Sequence, residues 1–107
     1  MYNSKIIGLG KYLPDKVVSN ADLEKIMDTT DAWIQERTGI RERRHIVKGS
    51  EDTTFTMGVK ASKIAIERAG ITSKEIDLIL FSTLSPDYYF PGSGVLVQDA
   101  LDIPDCP

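Results

Sequence analysis

Thr29, Trp33 and Arg37 are the residues of this 107-residue chain whose types and spacing best suit a chemical task. Intervals of four bring them to one face of a short helix and its entry turn. An indole beside a guanidinium offers a flat stacking surface plus a charge for a phosphate, which suits an adenine carrying phosphates. The same trio also fits a packed tryptophan with a cation-π neighbour, and the residues alone leave both readings open.

Other candidates carry weaker chemistry. Arg41, Arg43, Arg44 and His45 form a basic run with Lys48 close after. In a strand, Arg41, Arg43 and His45 share a face while Arg44 points away. The run is then either a solvated strand ion-paired to acids such as Glu42, or an anion site. Asp87-Tyr88-Tyr89-Phe90-Pro91-Gly92 gathers three aromatics in a loop, which must fold back on its own core or enter a partner or ligand pocket. Cys106 and His45 are the only thiol and imidazole, and they cannot supply a closed zinc site. Cys106 lies between Pro104 and Pro107 with no helix starting behind it, so a structural cysteine is the better reading. Gly8-Leu9-Gly10 starts like a dinucleotide loop, but Leu13 and Pro14 stand where a small residue and a helix should follow; a strand-ending turn fits better.

The elements that must position these residues are legible in part. Lys5 to Leu9 reads as a short strand ending in a turn at Gly8, Gly10 and Pro14. Ser19 and Asn20 precede a short helix with Leu23 and Ile26 on one face. Thr30 or Asp31 caps a second helix that runs to Arg37 and stops at Gly39. Ile40 to Val47 alternates as a strand. Thr53 or Thr54 opens the longest helix, which ends at Gly70 after Ala69 and is expected to be buried. Gly58, Ala61, Ala65 and Ala69 make a flat stripe on it that lets another backbone come close. Asp77 to Thr83 is a continuous apolar run, as in a strand covered on both faces of a parallel sheet. Ser93 to Leu101 forms a last helix with Val95, Leu96, Ala100 and Leu101 turned inward. A helix, buried strand and helix in succession indicate a layered α/β fold.

Hydrophobic residues make up 41% and charged residues 27%, which excludes a disordered, charge-rich chain. Thirteen Lys plus Arg against sixteen Asp plus Glu give a net charge of −3, which argues against broad nucleic-acid binding. The lone Cys excludes an intrachain disulfide and points to a reducing compartment. No apolar run approaches the roughly 20 residues needed to span a bilayer, and Met1 to Ile7 lacks a signal-peptide core, so a cytoplasmic protein is expected. The chain is expected to be unfinished, because it stops after a helix where a parallel sheet needs its next strand.

Ile7-Gly8-Leu9-Gly10-Lys11-Tyr12-Leu13-Pro14, Asn20 at a helix start, and above all Asp31-Ala32-Trp33-Ile34-Gln35-Glu36-Arg37-Thr38-Gly39-Ile40-Arg41-Glu42-Arg43 closely resemble the amino-terminal part of the β-ketoacyl-acyl-carrier-protein synthase III family. Ala69-Gly70-Ile71, the segment Asp77 to Thr83, and Phe90-Pro91 continue the resemblance in order, from about Lys5 to Pro107. The resemblance implies a thiolase-like α/β layered fold, of which residues 1–107 supply the amino-terminal portion of the first half, ending before the nucleophile-bearing strand and helix. It implies an acyltransferase that starts fatty-acid synthesis by condensing an acyl-CoA primer, usually acetyl-CoA, with malonyl-acyl-carrier-protein. It also implies a homodimer that uses a coenzyme A thioester as substrate, with no separate cofactor and no metal.

By the same resemblance, Trp33 matches a tryptophan that stacks on adenine, and Thr29 and Arg37 match residues near the nucleotide. Phe90 matches an aromatic that crosses the dimer interface to close the partner's acyl channel. None of the three catalytic positions falls in the chain, so it is expected to be inactive alone. Pro86, Tyr88, Tyr89 and Gly92-Ser93-Gly94 differ from the residues usual there, leaving primer length and branching open. Another thiolase-like enzyme, such as a hydroxymethylglutaryl-CoA synthase, and a non-catalytic α/β binding module are the alternatives.

Overall fold

In the computed structural model, residues 3–106 are described and fall into two compact units. Met1, Tyr2 and Pro107, which belong to the expected leader-free start and Pro-flanked end, lie outside the described residues.

The unit from Leu13 to Ser50 is organised by a strand that local sequence pattern does not mark. Strand β1 (Lys16–Ser19) hands directly into helix α1 (Asn20–Glu24), because Ser19 and Asp22 form a reciprocal capping box. Helix α2 (Asp31–Thr38) follows, then strand β2 (Glu42–His45), which pairs antiparallel with β1 from Lys16 opposite His45 to Ser19 opposite Glu42. The expected strand from Ile40 to Val47 is therefore real but shorter. Among the described residues the basic run forms no ion pair with Glu42, one of the acids considered for it. Arg43 Nη2 donates to Asn20 Oδ1 at 2.8 Å, and Arg44 Nη1 donates to the Pro14 carbonyl at 3.1 Å. Ile26, expected on one helix face with Leu23, lies beyond the end of α1 and is exposed.

The other unit, the residues through Tyr12 together with those from Glu51 onward, is built on helix α3 (Thr54–Ala69). Thr53 caps it by accepting from Thr56 N, and Gly70, at φ 68°, closes it in the left-handed region. The Asp87 carboxylate adds a second cap, accepting from Thr54 N at 3.0 Å and Phe55 N at 2.6 Å. None of the α3 residues is fully buried, contrary to expectation, but the small-residue stripe does what its spacing implies. A Cβ on Gly8 would strike the Ala65 carbonyl oxygen, and one on Gly10 the Ala61 carbonyl oxygen. Arg68 Nη1 ties the same segment down by donating to the Leu9 carbonyl at 3.0 Å.

A 3-10 turn (Ser73–Glu75) leads on to helix α4 (Ser93–Ala100). The inward face of α4 is set by Ser93, Val97 and the capping Leu101 rather than by Val95 and Ala100, both of which are exposed. Val97, Leu101 and Ile103 form the apolar centre, with Phe55, Val59, Ile66, Ile79, Phe81 and Cys106 among the residues against it.

Two expected strands are absent among the described residues. Lys5 to Leu9 and Asp77 to Thr83 have no strand partner, and the only sheet is the β1–β2 pair. The apolar run keeps a period of two all the same: Ile79 and Phe81 turn inward while Leu78 and Leu80 are exposed. It is covered on one face, not on both.

Candidate functional site

Helix α2 and the loop before it position the nucleotide candidates. Thr30 sits in extended backbone and accepts from Trp33 N at 3.1 Å, satisfying one of the amides that a helix start leaves open. Gly39, at φ 71°, ends the helix and donates to the Gln35 carbonyl at 2.8 Å. Ile34 is the buried residue of α2, and Trp33 stands on another side of the same helix with 55% of its surface exposed. Burial of the indole would have removed the stacking surface, and the exposure keeps it.

A concavity of about 260 Å³ lies beside that indole, lined by Asp28, Thr29, Thr30 and Trp33. The structure thus brings together two of the three predicted residues, Thr29 and Trp33. Arg37 is exposed one turn further along α2 and does not line the concavity. The cation-π neighbour considered for Trp33 is not formed; among the described residues the ring under a cation is Tyr12, with Lys60 Nζ 4.2 Å from its centroid. Thr29 Oγ1 is buried and has no hydrogen-bond partner among the described residues. Of the lining residues, Asp28 is the one that the sequence does not mark: Thr30 carries a helix-cap signal and Thr29 the interval of four from Trp33, whereas Asp28 precedes the helix outside both patterns.

The start of α2 is fixed by a polar network around Asn20, which is only 1% exposed. Its Nδ2 donates to Asp31 Oδ1 at 2.7 Å and to the Ile40 carbonyl at 2.8 Å, while its Oδ1 accepts from Arg43. Gln35 Nε2 donates to the other Asp31 oxygen at 2.6 Å. Beside this network, Ser19 and then Lys25 donate to Asp22 and hold its carboxyl well below the usual aspartate range.

The remaining candidates separate. Phe90 and Tyr89 are 92% and 100% exposed, so the aromatic loop does not fold back as a lid on its own core. Its base is pinned by Asp87 at the α3 cap and by Thr54 Oγ1 donating to the Ser85 carbonyl at 2.7 Å. Cys106 is partly buried against the Val97 cluster, which fits its structural reading. His45 is exposed at the β1–β2 ladder opposite Lys16. The backbones of Gly8 and Gly10 are taken up by α3, so they do not cradle a phosphate. Among the described residues no helix is long and apolar enough to cross a membrane.

No protein-family model matches the chain. It is 50% identical over 103 residues to a β-ketoacyl-acyl-carrier-protein synthase III of Coxiella burnetii, an alignment covering 96% of this chain and 32% of the relative. The crystal structure of 3-oxoacyl-acyl-carrier-protein synthase III from Aquifex aeolicus superposes with a TM-score of 0.88 at 45% identity, over 97% of this chain and 33% of that one. The priming β-ketosynthase of the R1128 polyketide pathway gives 0.86 at 36% identity, covering 96% and 30%. These likenesses bear out the thiolase-like α/β fold class. The chain spans about a third of the length of the curated relatives it matches, and over nearly all of its own length it is homologous to β-ketoacyl-acyl-carrier-protein synthases III.

Proposed function

We propose that the chain provides the coenzyme A recognition surface of a β-ketoacyl-acyl-carrier-protein synthase III, a condensing enzyme that starts fatty-acid synthesis. The observation that carries this reading is the exposed Trp33 indole over the concavity that Thr29 shares. Adenine stacks on the indole. Asp28, a carboxylate, accepts from a purine amino group and repels phosphate, so the anionic end of the nucleotide runs away from it along α2 towards Arg37.

In the proposed reaction a cysteine thiolate attacks the acyl-CoA carbonyl and coenzyme A leaves as its thiolate. Malonyl-acyl-carrier-protein then loses carbon dioxide. The carbanion left behind attacks the enzyme-bound thioester, expelling the cysteine and giving a β-ketoacyl product. No residue of this chain is assigned those steps; Cys106 packs against the apolar cluster instead. A cytoplasmic homodimer belongs to the same proposal, with Phe90, displayed at 92% exposure, reaching the partner's acyl channel. The likeness to the R1128 enzyme favours a second reading, in which the same chemistry primes polyketide synthesis.

Coenzyme A binding before and after Trp33→Ala tests the reading. Loss of one base stack costs roughly 1 to 3 kcal/mol, or about 5- to 150-fold in affinity. Unchanged binding overturns the assignment.

A further inference from the structure

The three loop residues that wall the concavity, Asp28, Thr29 and Thr30, all lie between α1 and α2, in a stretch with little structure of its own. Its near end is held by the Leu23 carbonyl, which accepts from Ile26 N and Met27 N, both at 3.0 Å. Its far end is held from outside. Glu24 Oε1, on the last residue of α1, accepts from Asp31 N at 2.6 Å, a bond that closes the intervening six residues into a ring. Asp31 N is the first amide of α2, where the helix leaves a donor open and carries partial positive charge, so a carboxylate is the side chain best suited to grip it. The Asp31 carboxylate is already taken by Asn20 and Gln35, which anchors the gripped residue to the buried network.

We infer that Glu24 is a positioning residue for coenzyme A: by clasping the first amide of α2 it holds the Lys25–Thr30 loop in the shape that receives the nucleotide. The inference rests on the coenzyme A reading above. A loop fixed before the ligand arrives loses less conformational entropy on binding, so the clasp contributes affinity without touching the ligand. Glu24 is exposed, and removing its side chain strands no buried group, so the fold survives the substitution.

The test is titration of coenzyme A into the protein carrying Glu24→Ala, Glu24→Gln or Trp33→Ala, with the thermal midpoint of each. Glu24→Ala is expected to weaken binding about 3- to 10-fold with little change in midpoint. Glu24→Gln keeps an acceptor oxygen and is expected to restore most of the affinity. Parental binding by Glu24→Ala, beside weakened binding by Trp33→Ala, overturns the inference while the nucleotide reading stands. A loss that Glu24→Gln fails to restore, accompanied by a lowered midpoint, overturns it too by making Glu24 a general stabiliser. Parental binding by Trp33→Ala removes the nucleotide reading, and the clasp's proposed role goes with it.

Discussion

Replacing Asn20 by Ala removes two donated bonds and one accepted bond from a position that water barely reaches. The Ile40 carbonyl and Arg43 lose a partner together, and Arg43 Nη1 is already without one among the described residues. Stranding buried polar groups in this way is expected to cost about 2 to 4 kcal/mol, read as a lower urea midpoint at an unchanged slope. Acid should act through other side chains. Hydrogen bonds from Lys60 first and Tyr12 second hold the Asp52 carboxyl below its usual range. A carboxyl whose pKa is lower folded than unfolded contributes in full above the unfolded value, about 3.9 for aspartate, and loses that contribution as pH falls through the folded one. The urea midpoint should therefore hold steady at neutral pH and fall below about pH 4, less steeply in Asp52→Asn. Lys60 has the opposite sign, because Asp52 and then Tyr12 raise its pKa; its contribution is lost only as pH rises beyond the ordinary lysine range. At this scale the sequence was informative where spacing is local, as for Trp33 and its helix. It placed Asn20 at a helix start and Asp87 in a loop but gave no contact for either, nor for Glu24, because their partners come from other elements.

The packing of an element against a backbone is tested at Gly10. A methyl there would sit 2.7 Å from Ala65 N as well as striking the Ala61 carbonyl, and neither is the end of a flexible side chain. Gly10→Ala should force the amino-terminal segment off α3 and cost about 1 to 3 kcal/mol in unfolding free energy. Ala61→Ser, on the facing side of the contact, is a useful companion for locating the strain by amide exchange. Helices α2 and α3 were readable nearly to the residue because Thr30, Thr53, Gly39 and Gly70 are cap signals acting within one turn. Strands were not. The partner of Lys16 is His45, so β1 has almost no local mark beyond Val17 and Val18. Asp77 to Thr83 carries strand composition and the right alternation, yet strand identity also requires a neighbour's backbone, which no local pattern supplies.

For the unit built on α3, the covered face of the Asp77–Thr83 segment and its bare face have opposite consequences. Ile79 and Phe81 join the apolar centre, and Phe81 lies close enough to Gly58 that a methyl there would meet its ring at 2.7 Å. Leu78, Leu80 and Leu84 are 55%, 87% and 105% exposed, and Ile6, Leu9, Tyr89 and Phe90 are exposed in the same unit. Soluble domains that present this much apolar surface bury it against something else or associate through it. A net charge of −3 supplies little repulsion to prevent association. The 107-residue polypeptide by itself is therefore expected to enhance the fluorescence of an apolar-surface dye and to form larger species as its concentration rises through the micromolar range. Leu80→Asp, at a side chain that is 87% exposed, should reduce both effects while leaving the thermal midpoint within about 4 °C, since a surface change of this kind shifts stability by less than about 0.5 kcal/mol. Leu101→Asp, at a side chain only 9% exposed within that centre, should instead unfold the unit and raise dye binding. Equal behaviour of the two variants would mean that the Leu80 face is packed in solution.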